Sequence, residues 1–215
     1  MFRLDGKQAL ITGASGGIGG AIARVLVGAG YAVRTLRRSA GPSLALEGVE
    51  VEEAYGDLRD FRSVRRALVG CDLLFHAAGY YPRRTESVVR ALRLGVESVR
   101  PVLDAAADAG VRRVVYTSSL STIGRPASGG ELATERDYFL PGSVGHAYHE
   151  SKYAMEQEVA RYAARGLPAV IVCPTAVFGP GDVKPTSGTA VLALAAGNLP
   201  FYIGGKMNVI DVRDV

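Results

Sequence analysis

Residues 8–20 read Gln8-Ala9-Leu10-Ile11-Thr12-Gly13-Ala14-Ser15-Gly16-Gly17-Ile18-Gly19-Gly20. Ala9, Leu10 and Ile11 form a short apolar run of the kind a buried strand carries, and the run breaks at Thr12-Gly13. Apolar side chains then recur at Ala21, Ile22, Val25 and Leu26, the spacing of an amphipathic helix. A strand that turns through glycines into a helix places free backbone N–H groups at the helix N-terminus, where the partial positive charge suits a pyrophosphate. Glycine allows the tight turn, the close approach of phosphates and close helix–strand packing. The stretch predicts dinucleotide binding, with Gly13, Ser15, Gly16, Gly17, Ile18 and Gly19 at the cofactor. The plainer alternative is a glycine-rich turn that holds no ligand.

The same rhythm continues outward. Strands are expected at Ala9–Thr12, Ala32–Leu36, Val49–Tyr55, Asp72–Ala77, Val111–Ser118 and Ala169–Cys173. Helices are expected at Gly17–Gly30, around Phe61–Val69, from Thr85 to Ala109 despite Gly95 and Pro101, and at Tyr148–Arg165. Alternating helices and near-continuously apolar strands imply a parallel sheet covered on both faces, and right-handed crossovers make it a doubly wound α/β fold. Ser121–Gly145, rich in Gly, Pro, Ser and charge, reads as an active-site loop, and the chain after Cys173 reads as irregular.

Composition narrows the function classes. The 215 residues suit one domain, or one domain and a small lobe, and 48% hydrophobic residues supply a core. Cys71 and Cys173 are two lone thiols and make no disulfide framework, so a reducing, cytoplasmic location is expected. The first strand begins within a few residues of the start, so no signal peptide is expected, and no apolar run approaches a membrane span. The net charge of +4 comes mostly from dispersed arginines. Without basic clusters interleaved with aromatics, no nucleic-acid module is expected. Three scattered histidines predict no metal site.

The end of the second strand selects between cofactors. An acid there would accept from the ribose hydroxyls of NAD. This strand instead ends Leu36-Arg37-Arg38-Ser39, and two guanidinium groups would attract a 2′-phosphate, so NADP is expected over NAD. Asp57 could accept from the adenine amino group while Leu58 packs on the ring; read alone, Asp57 is a helix cap. Ala77, Ala78 and Gly79 close the fourth strand with small residues that let a cofactor lie close. His76 beside them is a candidate base, although a packed histidine bonded to backbone is the simpler expectation. The residues that follow, Tyr80 to Arg84, are expected to wall the substrate site, or else to form an ordinary surface loop.

Tyr148 and Lys152, four apart, share one helix face. A phenol with a pKa of about 10 is a poor base at neutral pH, and a neighbouring ammonium stabilises its ionised form. Tyr148 can then exchange a proton with a carbonyl or alcohol as hydride moves, Lys152 can also hold the nicotinamide ribose, and Ser119 at the end of the fifth strand can bond the same substrate oxygen. A bare Tyr-x-x-x-Lys is usually only an exposed helix pair; here it follows a cofactor turn and a serine strand end in the matching order.

Together the glycine turn, Gly56-Asp57-Leu58, His76-Ala77-Ala78, Thr117-Ser118-Ser119, Tyr148 to Lys152, and Pro174 through Gly179-Pro180-Gly181 resemble an extended short-chain dehydrogenase/reductase of the NAD-dependent epimerase/dehydratase family. The segment from Gly179 to Thr186 is most similar to the dihydroflavonol reductase-like members and the hopanoid-associated sugar epimerases. The resemblance implies a Rossmann fold, with Ser119, Tyr148 and Lys152 catalytic, Asp57 and Leu58 at the adenine, and Pro174 to Val177 near the nicotinamide. It implies an NAD(P)-dependent oxidoreductase or epimerase acting on a secondary alcohol or ketone, with a nucleotide sugar or other carbonyl compound as substrate. A homodimer is a candidate assembly by the same analogy. Residues 1–175 are expected to form the NAD(P)-binding domain, and residues 176–215 to begin a substrate-binding region that stops short of the family's usual length. Gly95 stands where the family commonly has an asparagine that supports a proton relay. These two departures motivate the rival reading, a non-catalytic NADP-binding sensor or partner-binding protein.

Overall fold

A computed structural model describes residues 6–126, 131–182, 188–198, 204 and 207–215. The opening stretch forms strand β1 (Gln8–Thr12) and helix α1 (Gly17–Gly28). The chain continues through β2 (Ala32–Arg37), β3 (Glu52–Tyr55), α2 (Phe61–Ala67), β4 (Leu73–His76), α3 (Val88–Ala109), β5 (Arg113–Thr117), α4 (Ala147–Ala164) and β6 (Ala169–Val172). These six strands form one parallel sheet in the order β3-β2-β1-β4-β5-β6. The doubly wound α/β expectation holds.

The winding reverses between β1 and β4, which pair with Thr12 opposite His76. A crevice therefore opens beyond the carboxyl ends of these two strands, the place where such sheets take ligands. Side chains of β1 alternate between two cores. Ala9 and Ile11 pack with Ala23 and Leu26 of α1, and Leu10 packs with Val64, Leu74, Val102, Leu103, Val114 and Val159 on the side of α2, α3 and α4.

Local chemistry sets the ends of the elements. The expected third strand starts at Glu52 rather than Val49, because the backbone N–H of Val49 closes a turn onto Leu46. The long helix starts at Val88 rather than Thr85, because the Ser87 hydroxyl caps it by accepting from the Arg90 N–H. It stops at Gly110, whose φ of +65° is left-handed. Helix α2 is capped by Asp60, which accepts from the N–H groups of Arg62 and Ser63; Asp57 is not the cap.

The chain after Cys173 is more ordered than expected. Strand β7 (Ala176–Phe178) pairs in parallel with β8 (Val209–Asp211) in a second sheet, and α5 (Gly188–Ala195) lies between them in sequence. Three-residue strands carry too little periodicity to be read from sequence. Residues 183–186 of the Gly179–Thr186 segment and residues 127–130 of the Ser121–Gly145 loop lie outside the described residues. Among the described residues, no helix is long and apolar enough to cross a membrane.

Candidate active site

The glycine turn is built from backbone contact. Gly13 has φ +78°, and a Cβ there would lie 2.6 Å from the Ala78 nitrogen. A Cβ at Gly19 would lie 2.4 Å from the Gly13 oxygen. Only glycine lets the turn touch the end of β4 and the first turn of α1 touch the turn. Gly16 has no such neighbour on its outer side: a Cβ would meet only the Gly13 oxygen, at 3.5 Å. Ser15 and Gly16 are exposed, Gly17 and Ile18 are half-buried, and no side chain caps α1. The open face of the turn thus presents an uncapped helix N-terminus, which is suited to an anion. The Gly179-Pro180-Gly181 turn comes close by, with the Gly181 oxygen 3.4 Å from a Cβ placed on Gly17.

His76 is sealed behind this turn. Its Nδ1 lies 2.6 Å from the Thr12 hydroxyl, its ring centroid is 5.6 Å from that of Tyr116, and it is 3% exposed. The bonding partner is a side chain, not the expected backbone group. Burial, helped by the charge of Lys152, pushes its pKa down to about 3. The imidazole is a neutral packing group and does not reach the crevice as a base. Ala77 donates its N–H to the Thr12 carbonyl at 3.2 Å, and Gly79 follows at the exposed rim.

The two arginines at the end of β2 divide. Arg37 is turned inward, ion-paired with Glu53 and donating to the Gly41 carbonyl at 2.6 Å. Its charge is already matched on the neighbouring strand, which corrects the expectation that both guanidinium groups face a phosphate. Arg38 is exposed and makes no hydrogen bond or ion pair among the described residues. Asp57 accepts from the backbone N–H and guanidinium of Arg59, and these bonds pull its pKa down to about 2. Leu58 packs against the core cluster of α2 and α3.

The serine, tyrosine and lysine come together. Ser119 follows β5 in extended conformation, and its Oγ accepts from the Ser121 N–H at 3.2 Å. Tyr148 and Lys152 lie in the first turns of α4, which His146 caps by accepting from the Tyr148 N–H at 3.3 Å. The Tyr148 hydroxyl donates to Ser119 Oγ at 3.4 Å. Lys152 is only 4% exposed, and a Cβ on Gly79 would lie 3.1 Å from its Nζ. The ammonium therefore reaches the rim of β4 beside the glycine turn. Burial pushes its pKa down to about 8, partly opposed by the carboxylate of Glu156. The arrangement can present a hydroxyl pair and a cation to one small polar atom in the crevice.

Pro174 lies next to this group, its carbonyl accepting from the Leu120 N–H at 2.9 Å, and Val177 sits on β7 opposite Ile210. Of the expected wall from Tyr80 to Arg84, Tyr81 reaches the site. Its ring stacks on that of Tyr148 at 5.5 Å, with Lys152 Nζ 5.2 Å from its centroid. Tyr80 instead folds back, donating to Glu86 at 2.5 Å. Sequence reasoning passed over Glu156, although the spacing Tyr148-x-x-x-Lys152-x-x-x-Glu156 places it on the same helical face. A cavity of about 260 Å³ lined by Arg34, Glu52, Ser63 and Arg66 lies at the β3 edge of the sheet, away from these groups. Among the described residues, no group of three His, Cys, Asp or Glu side chains is placed to hold a metal ion.

Known proteins resemble the chain in sequence and in fold. Sterol demethylase protein B of Methylococcus capsulatus is 37% identical over 207 residues, covering 96% of this chain and 62% of that protein. Dihydroflavonol 4-reductase of Zea mays is 34% identical over 228 residues, covering 96% of this chain and 63% of that protein. The chain thus spans about three fifths of the length of these curated relatives. A nucleoside-diphosphate-sugar epimerase from Pseudomonas aeruginosa superposes with a TM-score of 0.85 at 25% identity, covering 97% of this chain and 65% of that one. Residues 9–209 match one family along nearly the whole chain, and by that match the chain belongs to the NAD dependent epimerase/dehydratase family.

Proposed function

We propose that this chain carries the cofactor-binding and proton-transfer machinery of an NADP-dependent oxidoreductase or epimerase acting at a secondary alcohol or ketone. The reading is carried by the meeting of Ser119, Tyr148 and Lys152 beside an open glycine turn. Residues 1–175 form the dinucleotide-binding domain in this reading, and residues 176–215 begin the substrate region.

The residues fit a dinucleotide. Gly13, Ser15, Gly16, Gly17, Ile18 and Gly19 offer an uncapped helix start to the pyrophosphate. Asp57 would accept from the adenine amino group with a carboxylate it shares with Arg59, and Leu58 supports it from the core. Arg38, exposed and without a hydrogen bond or ion pair among the described residues, is the group left to bind a 2′-phosphate, and Asp57, whose carboxylate feels its charge, is already matched by Arg59. Ala77, Ala78, Gly79, Pro174 and Val177 flank the nicotinamide end.

When bound, the nicotinamide supplies or takes up the hydride. Tyr148 gives its hydroxyl proton to the substrate oxygen in reduction and recovers it in oxidation. Ser119 Oγ bonds the same oxygen and fixes its direction. The Lys152 ammonium holds ribose hydroxyls and favours negative charge on the Tyr148 oxygen. Tyr81, stacked on Tyr148, walls the place of the substrate. The relatives' names frame the substrate class as a nucleotide sugar or a carbonyl compound such as a dihydroflavonol.

The test is titration with NADPH and NADH, read by thermal shift, then NADPH oxidation against nucleotide sugars, dihydroflavonols and other ketones. A ligand that prefers the folded state raises the melting temperature. Tight NADPH, weak NADH and ketone-dependent oxidation support the reading; failure of both cofactors to bind removes it.

A further inference from the structure

We propose that Glu156 is a positioning residue that locks the Ser119 turn to helix α4 and keeps Lys152 in its cationic form. The proposal rests on the reading of Tyr148 and Lys152 given above.

A single oxygen, Glu156 Oε2, gathers three segments. It accepts from Ser118 Oγ at 2.5 Å and Thr122 Oγ1 at 2.5 Å, and Cys173 Sγ lies 3.7 Å away. The hydroxyl contacts have the length expected of donors to an ionised carboxylate. The Thr122 hydroxyl also lies 2.7 Å from the Ser119 carbonyl and shares its one proton between the two acceptors, which places it between the carboxylate and the backbone of Ser119. Ser118 and Thr122 bracket Ser119 in the chain, and Cys173 follows β6. Glu156 thus ties the ends of β5 and β6 to the helix that carries Tyr148 and Lys152.

The same carboxylate lies one helical turn beyond Lys152. Lys152 Nζ lies 5.2 Å from the ring of Tyr81, and its charge acts on neutral His76 of β4 and feels that of Glu156, which in turn acts on Tyr116 of β5 and Cys173. The negative charge acting to keep the buried ammonium protonated is that of Glu156; burial opposes it. A hydroxyl clamp alone would serve with an uncharged amide. A charge on this face of α4 does a second task, holding the cation that the ribose and the Tyr148 oxygen require.

The chain has four lysines, Lys7, Lys152, Lys184 and Lys206, so carbon-13 NMR of labelled lysine ε-carbons can follow Lys152 directly, with Lys152→Arg assigning its signal. In the wild-type chain Lys152 is expected to titrate near pH 8. Glu156→Gln keeps size and an acceptor oxygen but removes the charge, and the Lys152 midpoint is expected to fall by about one unit or more. A fall of less than about half a unit overturns the proposal, since a purely structural glutamate would leave the titration in place. Glu156→Asp, which keeps the charge, is a second arm should the glutamine variant not fold; its midpoint is expected within about half a unit of wild type, and a larger fall overturns the proposal. The titration needs no turnover. Failure of the oxidoreductase reading, shown by a Tyr148→Phe chain that still turns over, is therefore a separate result.

Discussion

The hydroxyls of Ser119 and Tyr148 meet at 3.4 Å although 29 residues separate them in the chain. One stands at the carboxyl end of β5 and the other in the first turn of α4, with the Ser121–Gly145 loop between them. The spacing is loose for a hydroxyl pair, and Ser119 Oγ already accepts from the N–H and hydroxyl of Ser121, so the Tyr148 hydroxyl and the Ser119 proton are the groups that can close on a third oxygen. Replacing Tyr148 with Phe should lower kcat by about 10²- to 10⁴-fold, the range that general acid catalysis supplies, while the Kd for NADPH changes by less than about twofold. Steady-state kinetics beside a binding titration checks both numbers.

Arg37 and Arg38 should behave differently. Arg38→Ala removes an exposed cation that has no ion pair among the described residues and is expected to weaken NADPH about tenfold or more while sparing NADH, because charged hydrogen bonds are worth about 1.5–3 kcal/mol. Arg37→Ala removes the partner of Glu53 and the tether to Gly41, so its effect should fall on both cofactors alike. Equal losses from Arg38→Ala would overturn the 2′-phosphate assignment.

Gly95 is a contact position between α3 and α4. A Cβ there would lie 3.3 Å from Met155 Cγ and 3.4 Å from the Ser151 carbonyl. Installing an asparagine by Gly95→Asn should therefore overpack the interface and cost about 1–3 kcal/mol. Gly95→Ala should be nearly neutral, since a helix-propensity gain of about 1 kcal/mol offsets milder crowding. Urea unfolding of both variants checks the order, and a Gly95→Asn chain as stable as wild type would show that α3 can give way.

Acid should destabilise the fold through His76. Its folded pKa of about 3 lies below the ordinary value of 6.5, so between these limits the unfolded chain binds a proton that the folded chain refuses. Stability falls as pH drops through this window, and the loss is complete below about pH 3. Between pH 6.5 and 4.5 the His76 share is roughly 2 kcal/mol. In His76→Gln the stability curve should flatten by that amount over this range, above where Asp57 and Asp211 titrate. Urea midpoints at several pH values in both chains test it; parallel curves would place the acid sensitivity elsewhere.

Turnover should fall on the alkaline side as Lys152 loses its proton. The ammonium is present below its pKa of about 8 and disappears above it, so kcat/KM should drop as pH rises through 8. A flat profile to pH 9.5 would mean that the charge on Lys152 is not used.

The sequence by itself determined the sheet, the glycine turn and the identity of the serine, tyrosine and lysine. These are carried by local signals: apolar runs, glycines where backbone must touch backbone, and a helical spacing of four. Tertiary structure decided which side chains are free. Arg37 and Arg38 are alike in sequence, and only the register of β3 beside β2, which puts Tyr55 opposite Arg37, brings Glu53 to one and leaves the other open. Asp57 yielded the helix cap to Asp60 because the turn through Arg59 placed the later carboxylate at the helix start. His76 became a buried neutral group because Thr12 lies opposite it across the β1–β4 pair. Beyond its spacing from Lys152, nothing in the sequence sets Glu156 apart from the other charges of α4; β5 and β6 bring Ser118, Thr122 and Cys173 to it. Pairing, burial and charge depend on which distant segments become neighbours, and a chain's local pattern does not encode that directly.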